Sequence, residues 1–304
     1  MKILVTGGAG FIGSNLVRKL CELRHDVVVC DDLTEEKLRN LTGSDPVDFV
    51  GIDRAIDVVK NTRFDVIFHL GANTDTSIHD CRMMLEDNFE TTKRLFHAAL
   101  ERHVKRFVYA SSAAVYGNSS NGELYESFSY EKPLNAYGFS KLMCDRWFRD
   151  RGFCSTEEIT SVFGLRYFNV YGPNEGHKGA MSSMIHKMIT QGNHQPLFFG
   201  SYKRDFTYVD DVVDMTIEAG MSNEINPGVY NVGTGKAVDF HAIFHLVQQK
   251  MGRREGLRLV SMSPEVGKYY QVHTQASMDR ARFSGFATTF RDVNAGVECL
   301  LGKQ

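Results

Sequence analysis

The stretch at residues 2–13 constrains the fold more than any other part of the chain. An apolar run at residues 2–6 leads into Gly7-Gly8-Ala9-Gly10-Phe11-Ile12-Gly13, and the residues that follow to about Leu23 have the apolar spacing of a helix. A strand, a glycine loop and a helix in this order are typical of the first turn of a dinucleotide-binding α/β unit. Glycines alone would be weak evidence, but their place at the first strand-to-helix turn makes this interpretation specific.

Each glycine of this loop has a predicted task. Gly7 would allow a tight turn, Gly10 would let the backbone approach a pyrophosphate, and Gly13 would let the helix pack on the strand. The main-chain N–H groups at the start of the helix, where Phe11 and Ile12 lie, would bind the phosphates at the positive end of the helix dipole.

Further apolar runs alternate with amphipathic segments over the first half of the chain. The runs predicted as strands lie at residues 26–30, 47–51, 65–70, 106–111 and 159–167, and apolar residues recur at helical spacing over residues 88–101. This alternation predicts an α/β fold with a Rossmann-type, doubly wound parallel sheet.

Beyond residue 168 the strict alternation fades. We therefore predict a dinucleotide-binding Rossmann domain at residues 1–168, to which later segments at about residues 205–235 return. Residues 169–304 would mainly form a smaller, interleaved α/β substrate-binding domain.

Acidic residues follow the second and third predicted strands. Asp31 and Asp32 stand about 20 residues after the glycines, where a carboxylate commonly accepts hydrogen bonds from the adenosine ribose. Lys37 lies close behind and could instead hold a 2′-phosphate, so these residues leave both NAD and NADP open. Asp53, after the third strand, could meet the adenine amino group or cap the next helix.

The end of the fourth predicted strand carries small residues. Leu70-Gly71-Ala72 would permit a close approach of the backbone to a cofactor. Asn88, at the start of the next helical segment, is a further predicted cofactor contact.

A serine, a tyrosine and a lysine form the predicted catalytic group. Ser112 ends the fifth strand, and Tyr137 and Lys141 are four residues apart, so they share one face of a helix. Free tyrosine has a pKa of about 10, and a neighbouring ammonium would bring that pKa toward the working range. Hydroxyl, phenol and ammonium together could take a proton from a sugar alcohol while a nicotinamide takes the hydride. A lone Tyr-x-x-x-Lys is more often a packed ring beside a solvated lysine.

Composition limits the remaining choices. A chain of 304 residues can bury a sizeable core, and a formal net charge of −2 gives no electrostatic reason to expect nucleic acid or a membrane surface. The six cysteines show no C-x-x-C spacing, and the sequence enters a strand with no signal peptide. No apolar run approaches the ~20 residues of a membrane-spanning helix. We expect a cytoplasmic protein without membrane or nucleic-acid partners and without a metal site.

These motifs together resemble the extended short-chain dehydrogenase/reductase superfamily, which includes nucleotide-sugar epimerases and dehydratases. The resemblance is carried by residues 6–13, by Ser111-Ser112-Ala113-Ala114-Val115-Tyr116-Gly117 and by Tyr137-x-x-x-Lys141. Within the superfamily, the chain is most similar to the ADP-L-glycero-D-manno-heptose 6-epimerases over nearly its whole length. That likeness is carried by residues 130–135, 166–173, 175–179 and 270–276.

The resemblance implies roles for individual residues. Ser112 and Tyr137 would lie at the reacting hydroxyl, and Lys141 would hold the nicotinamide ribose. Lys178 would be a second acid or base, although it could also be a solvated lysine in a loop or a partner of a pyrophosphate. The residues implied in substrate binding also include Asn169, His177, His186, Arg204 and Tyr270.

The resemblance also implies a tightly bound NADP, a nucleotide-sugar substrate and a homo-oligomer. The acidic Asp32 keeps NAD as the alternative cofactor. Ala113 and Ala114 stand where a dehydratase would carry an Asp-Glu pair, which disfavours dehydration. Residues 74–77 depart from the heptose pattern, so a UDP- or GDP-hexose epimerase and a keto-sugar reductase remain alternatives. A non-catalytic NAD(P)-binding sensor or scaffold is the alternative from another class.

Overall fold

A computed structural model of the chain describes residues 1–32, 34–118, 122–156 and 158–302. Its strands are β1 (Lys2–Thr6), β2 (Asp26–Asp31), β3 (Asp48–Gly51), β4 (Val66–His69), β5 (Arg106–Ser112), β6 (Ser161–Tyr167), β7 (Asn169–Tyr171), β8 (Leu197–Phe198), β9 (Lys203–Tyr208), β10 (Gly228–Val232), β11 (Ala237–Asp239), β12 (Leu259–Val260) and β13 (His273–Thr274). Its α-helices are α1 (Phe11–Glu22), α2 (Glu35–Arg39), α3 (Ala55–Asn61), α4 (Cys81–Leu85), α5 (Thr91–Glu101), α6 (Ala136–Asp150), α7 (Met184–Gln191), α8 (Val209–Met221), α9 (Phe240–Lys250), α10 (Pro264–Tyr269), α11 (Asp279–Phe283) and α12 (Val293–Gly302).

Seven parallel strands form the main sheet in the order β3-β2-β1-β4-β5-β6-β10. This order confirms the predicted Rossmann-type, doubly wound sheet. The order reverses between β1 and β4, and ligands of such sheets bind in the crevice outside the carboxyl ends of the strands at that point. The glycine loop after β1 and the small residues after β4 lie at this crevice.

Alternate residues of the central strand β1 enter two apolar cores, one on each face of the sheet. Ile3 and Val5 belong to a cluster that contains residues of α1 and α8, whereas Leu4 packs with residues of α3, α5 and α6. All three side chains are 0% exposed. Helices therefore cover both faces, which explains why the strands read as continuous apolar runs.

A smaller sheet combines β9 with β7, β11 and β13, and β8 pairs separately with β12. A third apolar cluster, with residues of α7, α9 and α12, packs against it. Phe168 alone separates β6 of the large sheet from β7 of the small one, and β9 runs directly into α8, which packs on the large sheet. The two sheets therefore exchange chain segments, and the division into two domains stays a prediction.

One predicted helix is modified. The helix expected over residues 88–101 is an α-helix only from Thr91, because residues 86–90 form a π-helical turn. Among the helices of the described residues, none is long and apolar enough to cross a membrane.

Candidate active site

The glycine loop after β1 closes against the loop after β4. Gly7 has a φ of +68°, and a Cβ atom there would lie 2.6 Å from the main-chain nitrogen of Gly71. A Cβ atom on Gly13 would lie 2.0 Å from the carbonyl oxygen of Gly7, so the start of α1 packs directly on the loop. Bare backbone lines this part of the crevice, and the first N–H groups of a helix have no helical partners and suit a phosphate. The residues at that helix start are Gly10, Phe11 and Ile12. The arrangement fits a dinucleotide.

The carboxyl end of β2 carries two acids that share one lysine. Asp31 is 3% exposed and accepts hydrogen bonds from Ala9 N at 3.0 Å and Lys37 Nζ at 3.2 Å. Asp32 is exposed and accepts from the same Nζ at 2.8 Å through each carboxylate oxygen. Although burial opposes it, the two carboxylates raise the pKa of Lys37, which therefore stays an ammonium. Asp53 lies exposed in a short 3₁₀ turn after β3.

The loop after β4 is held to β1 by its backbone. Leu70 N donates to Thr6 O at 3.0 Å, and Gly71 N donates to Thr6 Oγ1 at 3.2 Å. Leu70, Gly71 and Ala72 are each partly exposed. They are therefore placed where a cofactor in the crevice could reach them.

Asn88 lies beneath this loop. It is 1% exposed, and its Nδ2 donates to Asn73 O at 2.9 Å and to Ser140 Oγ at 3.0 Å. Its Oδ1 accepts from Asn73 N at 2.8 Å. The amide of Asn88 therefore joins the β4 loop to α6, and its direct contact with a cofactor stays a prediction.

The predicted catalytic residues meet at the carboxyl end of β5. Asn135 caps α6 by accepting a hydrogen bond from Gly138 N at 2.8 Å, and a Cβ atom on Gly138 would lie 2.5 Å from a main-chain oxygen of the turn after β5. The start of α6 is therefore pressed against that turn. The side chain of Ser112 is close enough to Tyr137 to favour the ionised phenol, and Lys141 lies one turn further along α6, 4% exposed.

Burial governs the protonation of this group. It raises the pKa of Tyr137, and the nearby side chain of Ser112 offsets only part of that effect. It also lowers the pKa of Lys141, against the opposing influence of Cys144 and Asp145. The expected lowering of the pKa of Tyr137 by Lys141 is therefore wrong for the protein groups alone. Ionising this phenol at neutral pH requires another positive charge nearby.

A buried ionic cluster, which the residue patterns did not predict, supports α6. Arg166 on β6 is 0% exposed and donates to Asp145 at 2.8 Å and to Glu131 at 2.7 Å. Asp145 also accepts from the hydroxyls of Tyr109 at 2.9 Å and Ser111 at 3.0 Å. The cluster joins α6 to β5 and β6. The feature of the sequence that could have indicated this cluster is Arg166, which stands within the mainly apolar strand β6.

Residues 173–178, which we call the strap, lie against the start of α1. Asn15 Nδ2 donates to Pro173 O at 3.1 Å, and Asn174 Nδ2 donates to Ser14 Oγ at 3.1 Å. Lys178 Nζ lies 5.3 Å from the centroid of the Phe11 ring. Burial lowers the pKa of Lys178, although Glu175 opposes this effect. The predicted second acid or base thus stands beside the glycine loop.

His177, predicted as a substrate contact, also lies beside the predicted cofactor residues. Its Nδ1 is 3.0 Å from Asn40 Nδ2, at the end of α2. Burial lowers the pKa of His177, and the charges of Lys37 and Lys178 add to that effect. His177 therefore lies near Asn40, Lys37 and Asp31, at the carboxyl end of β2.

A cavity of about 250 Å³ lies next to the small sheet, with Lys187, Phe198, Tyr202 and Tyr270 in its lining. Arg204 on β9 is 6% exposed, and its guanidinium lies 5.2 Å from the ring centroid of Tyr270. Burial lowers the pKa of Arg204. Among the described residues, no carboxylate forms an ion pair with it. The guanidinium donates to the main-chain oxygens of Lys203, at 2.9 Å, and of Gln271. A buried cation without a carboxylate partner beside an aromatic cavity suits an anionic ligand with a planar group.

The other predicted substrate residues are less constrained. Asn169 is exposed at the start of β7, where its Oδ1 lies 3.5 Å from Thr274 Oγ1. His186 is half-buried on α7. Within the described ranges, no group of three or more His, Cys, Asp or Glu side chains could hold a metal ion.

Solved structures resemble the chain over nearly its whole length. ADP-L-glycero-D-manno-heptose-6-epimerase from Helicobacter pylori is 28% identical, with a TM-score of 0.85 over 99% of this chain and 95% of that one. MoeE5 in complex with UDP-glucose and NAD is 28% identical, with a TM-score of 0.80 over 99% of this chain and 98% of that one. UDP-glucuronic acid 4-epimerase from Bacillus cereus, in complex with UDP-glucuronic acid and NAD, is 25% identical, with a TM-score of 0.81 over 99% of this chain and 98% of that one.

A family model matches most of the chain. The NAD-dependent epimerase/dehydratase model aligns with residues 3–233. That range contains the glycine loop, the group of Ser112, Tyr137 and Lys141, and the strap. The resemblance stated from the sequence motifs is confirmed. The chain belongs to the NAD-dependent epimerase/dehydratase family.

Proposed function

We propose that the chain is a nucleotide-sugar epimerase that inverts a carbinol carbon by transient oxidation to a ketone, with ADP-glycero-manno-heptose as substrate. The observation that carries the proposal is that Ser112 at the end of β5 meets the start of α6, which carries Tyr137 and, one turn further on, the buried Lys141. Family membership supports the reaction class. The likeness to the heptose epimerase, at a TM-score of 0.85, supports the choice of sugar.

In this proposal each residue handles one atom or charge. When bound, an oxidised nicotinamide accepts the hydride and carries a positive charge that favours a phenolate. Tyr137 takes the proton of the sugar hydroxyl and later returns one to the ketone oxygen. Ser112 donates a hydrogen bond to that oxygen, and Lys141 binds the nicotinamide ribose.

Lys178 is proposed as the second acid or base. An exocyclic ketone must rotate to present its other face, so its oxygen needs a proton donor at a second place. The lowered pKa of Lys178 supports proton transfer, whereas its position over Phe11 also supports a contact with the cofactor pyrophosphate.

Lys178→Met separates these two roles. Loss of about 10²-fold or more in turnover, with the cofactor retained, supports proton transfer. Near-normal turnover contradicts a two-base mechanism and favours a ring 4-epimerase, which needs no such residue. Lys19→Met, at a largely exposed lysine on α1, is the matched control.

Arg204 and Tyr270 are proposed to hold the nucleotide diphosphate. A guanidinium presents paired donors to phosphate oxygens, and the unpaired charge of Arg204 beside the aromatic cavity supports this role. Asn169 and His186 stay predicted contacts of the same ligand.

We infer that the cofactor is NAD, although NADP was the first expectation. Asp31 and Asp32 both pair with Lys37, so these three residues at the carboxyl end of β2 carry one more negative than positive charge. A 2′-phosphate would bring about two further negative charges to them. The neighbours solved with NAD support the inference. Rebinding to cofactor-free protein should favour NAD over NADP, and tighter binding of NADP would refute the inference.

A UDP-hexose is the second candidate substrate. MoeE5, solved with UDP-glucose, is as similar in sequence as the heptose epimerase, at 28% identity for each. Thr76 Oγ1 lies 3.8 Å from Met181 Sδ, so the divergent residues 74–77 reach the turn that follows the strap. We place the choice of sugar at this contact.

The test is to denature the purified protein and identify the released small molecules by mass spectrometry. Proton NMR of ADP-D-glycero-D-manno-heptose with the native protein then follows the configuration at C6. Released NAD and an inverted C6 signal, with no added cofactor, are the expected results. Bound cofactor with an unchanged sugar would refute the heptose assignment and make UDP- and GDP-hexoses the next substrates to test. Stoichiometric consumption of NADPH with a keto-sugar would instead identify a reductase.

Tyr137→Phe tests whether the chain is a catalyst or a cofactor-binding sensor. The change removes one hydroxyl from the predicted base, and we expect turnover to fall by about 10²- to 10⁴-fold. Tyr125→Phe, at an exposed tyrosine, is the control. Full turnover by Tyr137→Phe on the true substrate would refute the catalytic assignment. The homo-oligomer and the cytoplasmic location stay predictions.

A further inference from the structure

Asn40, just after α2, connects two segments that are far apart in sequence. Its side-chain Nδ2 donates to the carbonyl oxygen of Ala9 in the glycine loop at 2.9 Å. The same nitrogen lies 3.0 Å from Nδ1 of His177 in the strap. One amide group thus joins the phosphate-binding loop to the strap. Because the Ala9 carbonyl can only accept, the amide nitrogen must be the atom that faces both partners.

The strap has further attachments on the same side. Asn174 Nδ2 donates to the main-chain oxygen of Asn40 at 3.3 Å and to Ser14 Oγ at 3.1 Å. Pro173 O accepts from Asn15 at 3.1 Å. These contacts hold the first part of the strap to α1. The side chain of Asn40 is the attachment that joins its second part, at His177, to the glycine loop.

We propose that Asn40 is a latch that holds the strap closed beside the dinucleotide site and thereby slows release of the cofactor. The proposal rests on the proposed function only in that the glycine loop binds a nicotinamide dinucleotide. Asn40 acts through Ala9 and His177 and is a positioning residue. A cofactor bound to the N–H groups at the start of α1 lies next to the strap, so opening the strap at His177 exposes its phosphates to water.

The latch requires one protonation state of His177. Since Asn40 donates, Nδ1 of His177 must accept, which is a property of the neutral ring. The charged groups that act on His177 are Lys37 on α2, Lys178 in the strap and Asp31 on β2. The two lysines oppose protonation of the ring and Asp31 favours it, and burial keeps it neutral. Acid should therefore open the latch in the wild-type protein.

The experiment measures exchange of bound NAD for isotope-labelled NAD in the full-length protein. Asn40→Ala removes two hydrogen bonds, and at ordinary strength this corresponds to roughly thirtyfold faster exchange. Asn61→Ala is the matched control, because Asn61 ends α3 and donates only to the carbonyl of Asp57 one turn earlier. If Asn40→Ala folds poorly, Asn40→Asp keeps the shape and removes both donors.

A pH series separates a latch from a general defect. Wild-type exchange should accelerate as His177 becomes protonated, whereas Asn40→Ala should already be fast and gain less from acid. His177→Ala should match Asn40→Ala, and the double variant should be no faster than either single variant. Exchange by Asn40→Ala within twofold of wild type would overturn the latch while leaving the proposed function intact. A wild-type protein that binds no nicotinamide dinucleotide would overturn both.

Discussion

His69 occupies the last position of β4, in a hydrogen-bonded chain that crosses the site. Gly71 N donates to Thr6 Oγ1 at 3.2 Å, and that hydroxyl lies 2.7 Å from His69 Nδ1. On the other side, His69 Nε2 lies 2.9 Å from Thr92 Oγ1, which donates to Asn88 O at 2.5 Å. Since Thr92 uses its proton on Asn88, Nε2 must carry the ring proton and Nδ1 must accept. A second proton on the ring would break the chain at Thr6.

Burial lowers the pKa of His69 from 6.5 to about 3, and the nearby charge of Lys141 adds to this effect. The unfolded chain therefore binds a proton near pH 6.5, whereas the folded chain binds it only near pH 3. The stabilising contribution is complete above pH 6.5 and is lost progressively as the pH falls toward 3. A pH of 5 is about 1.5 units below the pKa of the ring in the unfolded chain, so protonation there stabilises the unfolded state. The free energy of unfolding is therefore about 2 kcal/mol lower at pH 5 than at pH 7.

His69→Gln keeps a polar side chain and removes the titration. The free energy of unfolding is measured with urea at pH 7 and pH 5 for the wild type, for this variant and for His245→Gln, at an exposed histidine on α9. Between pH 7 and pH 5, the free energy of unfolding should fall by about 2 kcal/mol more in the wild type and in the His245 control than in His69→Gln. Equal losses in the wild type and His69→Gln would refute the hydrogen-bond chain and the neutral ring.

Two further changes test the supports of the site. Arg166→Met leaves the carboxylates of Glu131 and Asp145 buried without their shared partner. The free energy of unfolding, measured with urea, should fall by about 3–5 kcal/mol. A loss below about 1 kcal/mol would contradict the stabilising role of the cluster. Gly13→Ala places a Cβ atom 2.0 Å from the carbonyl oxygen of Gly7 and should displace the glycine loop, so the purified protein should carry little NAD. Gly256→Ala, at a position with open space around it, should retain the wild-type amount of NAD. Equal NAD contents would show that the loop does not bind the cofactor through this close packing.

The main sheet could be predicted because its evidence is local. A parallel strand buried on both faces has a continuous apolar run, as at residues 3–5 of β1, and a glycine loop between strand and helix has few other uses. The helix that carries Tyr137 and Lys141 was likewise expected from their spacing. The short strands of the second half could not be predicted, because β7, β8, β12 and β13 contain two or three residues each and are specified by long-range pairing.

The environment of each site residue could not be predicted in the same way. The spacing of Tyr137 and Lys141 predicts a shared helix face, but the direction of the pKa shift of Tyr137 depends on burial by segments distant in sequence. Asn88 has the position of a cofactor contact in the sequence, and its amide is engaged only because Ser140 and Asn73 meet it in the fold. Such partners are set by tertiary packing, which a residue pattern does not contain.

The strap would meet two requirements of the proposed reaction, which oxidises and reduces the same substrate. The cofactor must stay bound between the two hydride transfers, because a reduced cofactor that leaves would end the cycle with a stranded ketone. The strap provides both Lys178, whose Nζ lies over Phe11, and His177, which Asn40 holds to the glycine loop. If Lys178 supplies the second proton, the position of that group depends on the strap being closed. Retention of the cofactor and placement of the second acid or base would then fail together when Asn40 is removed.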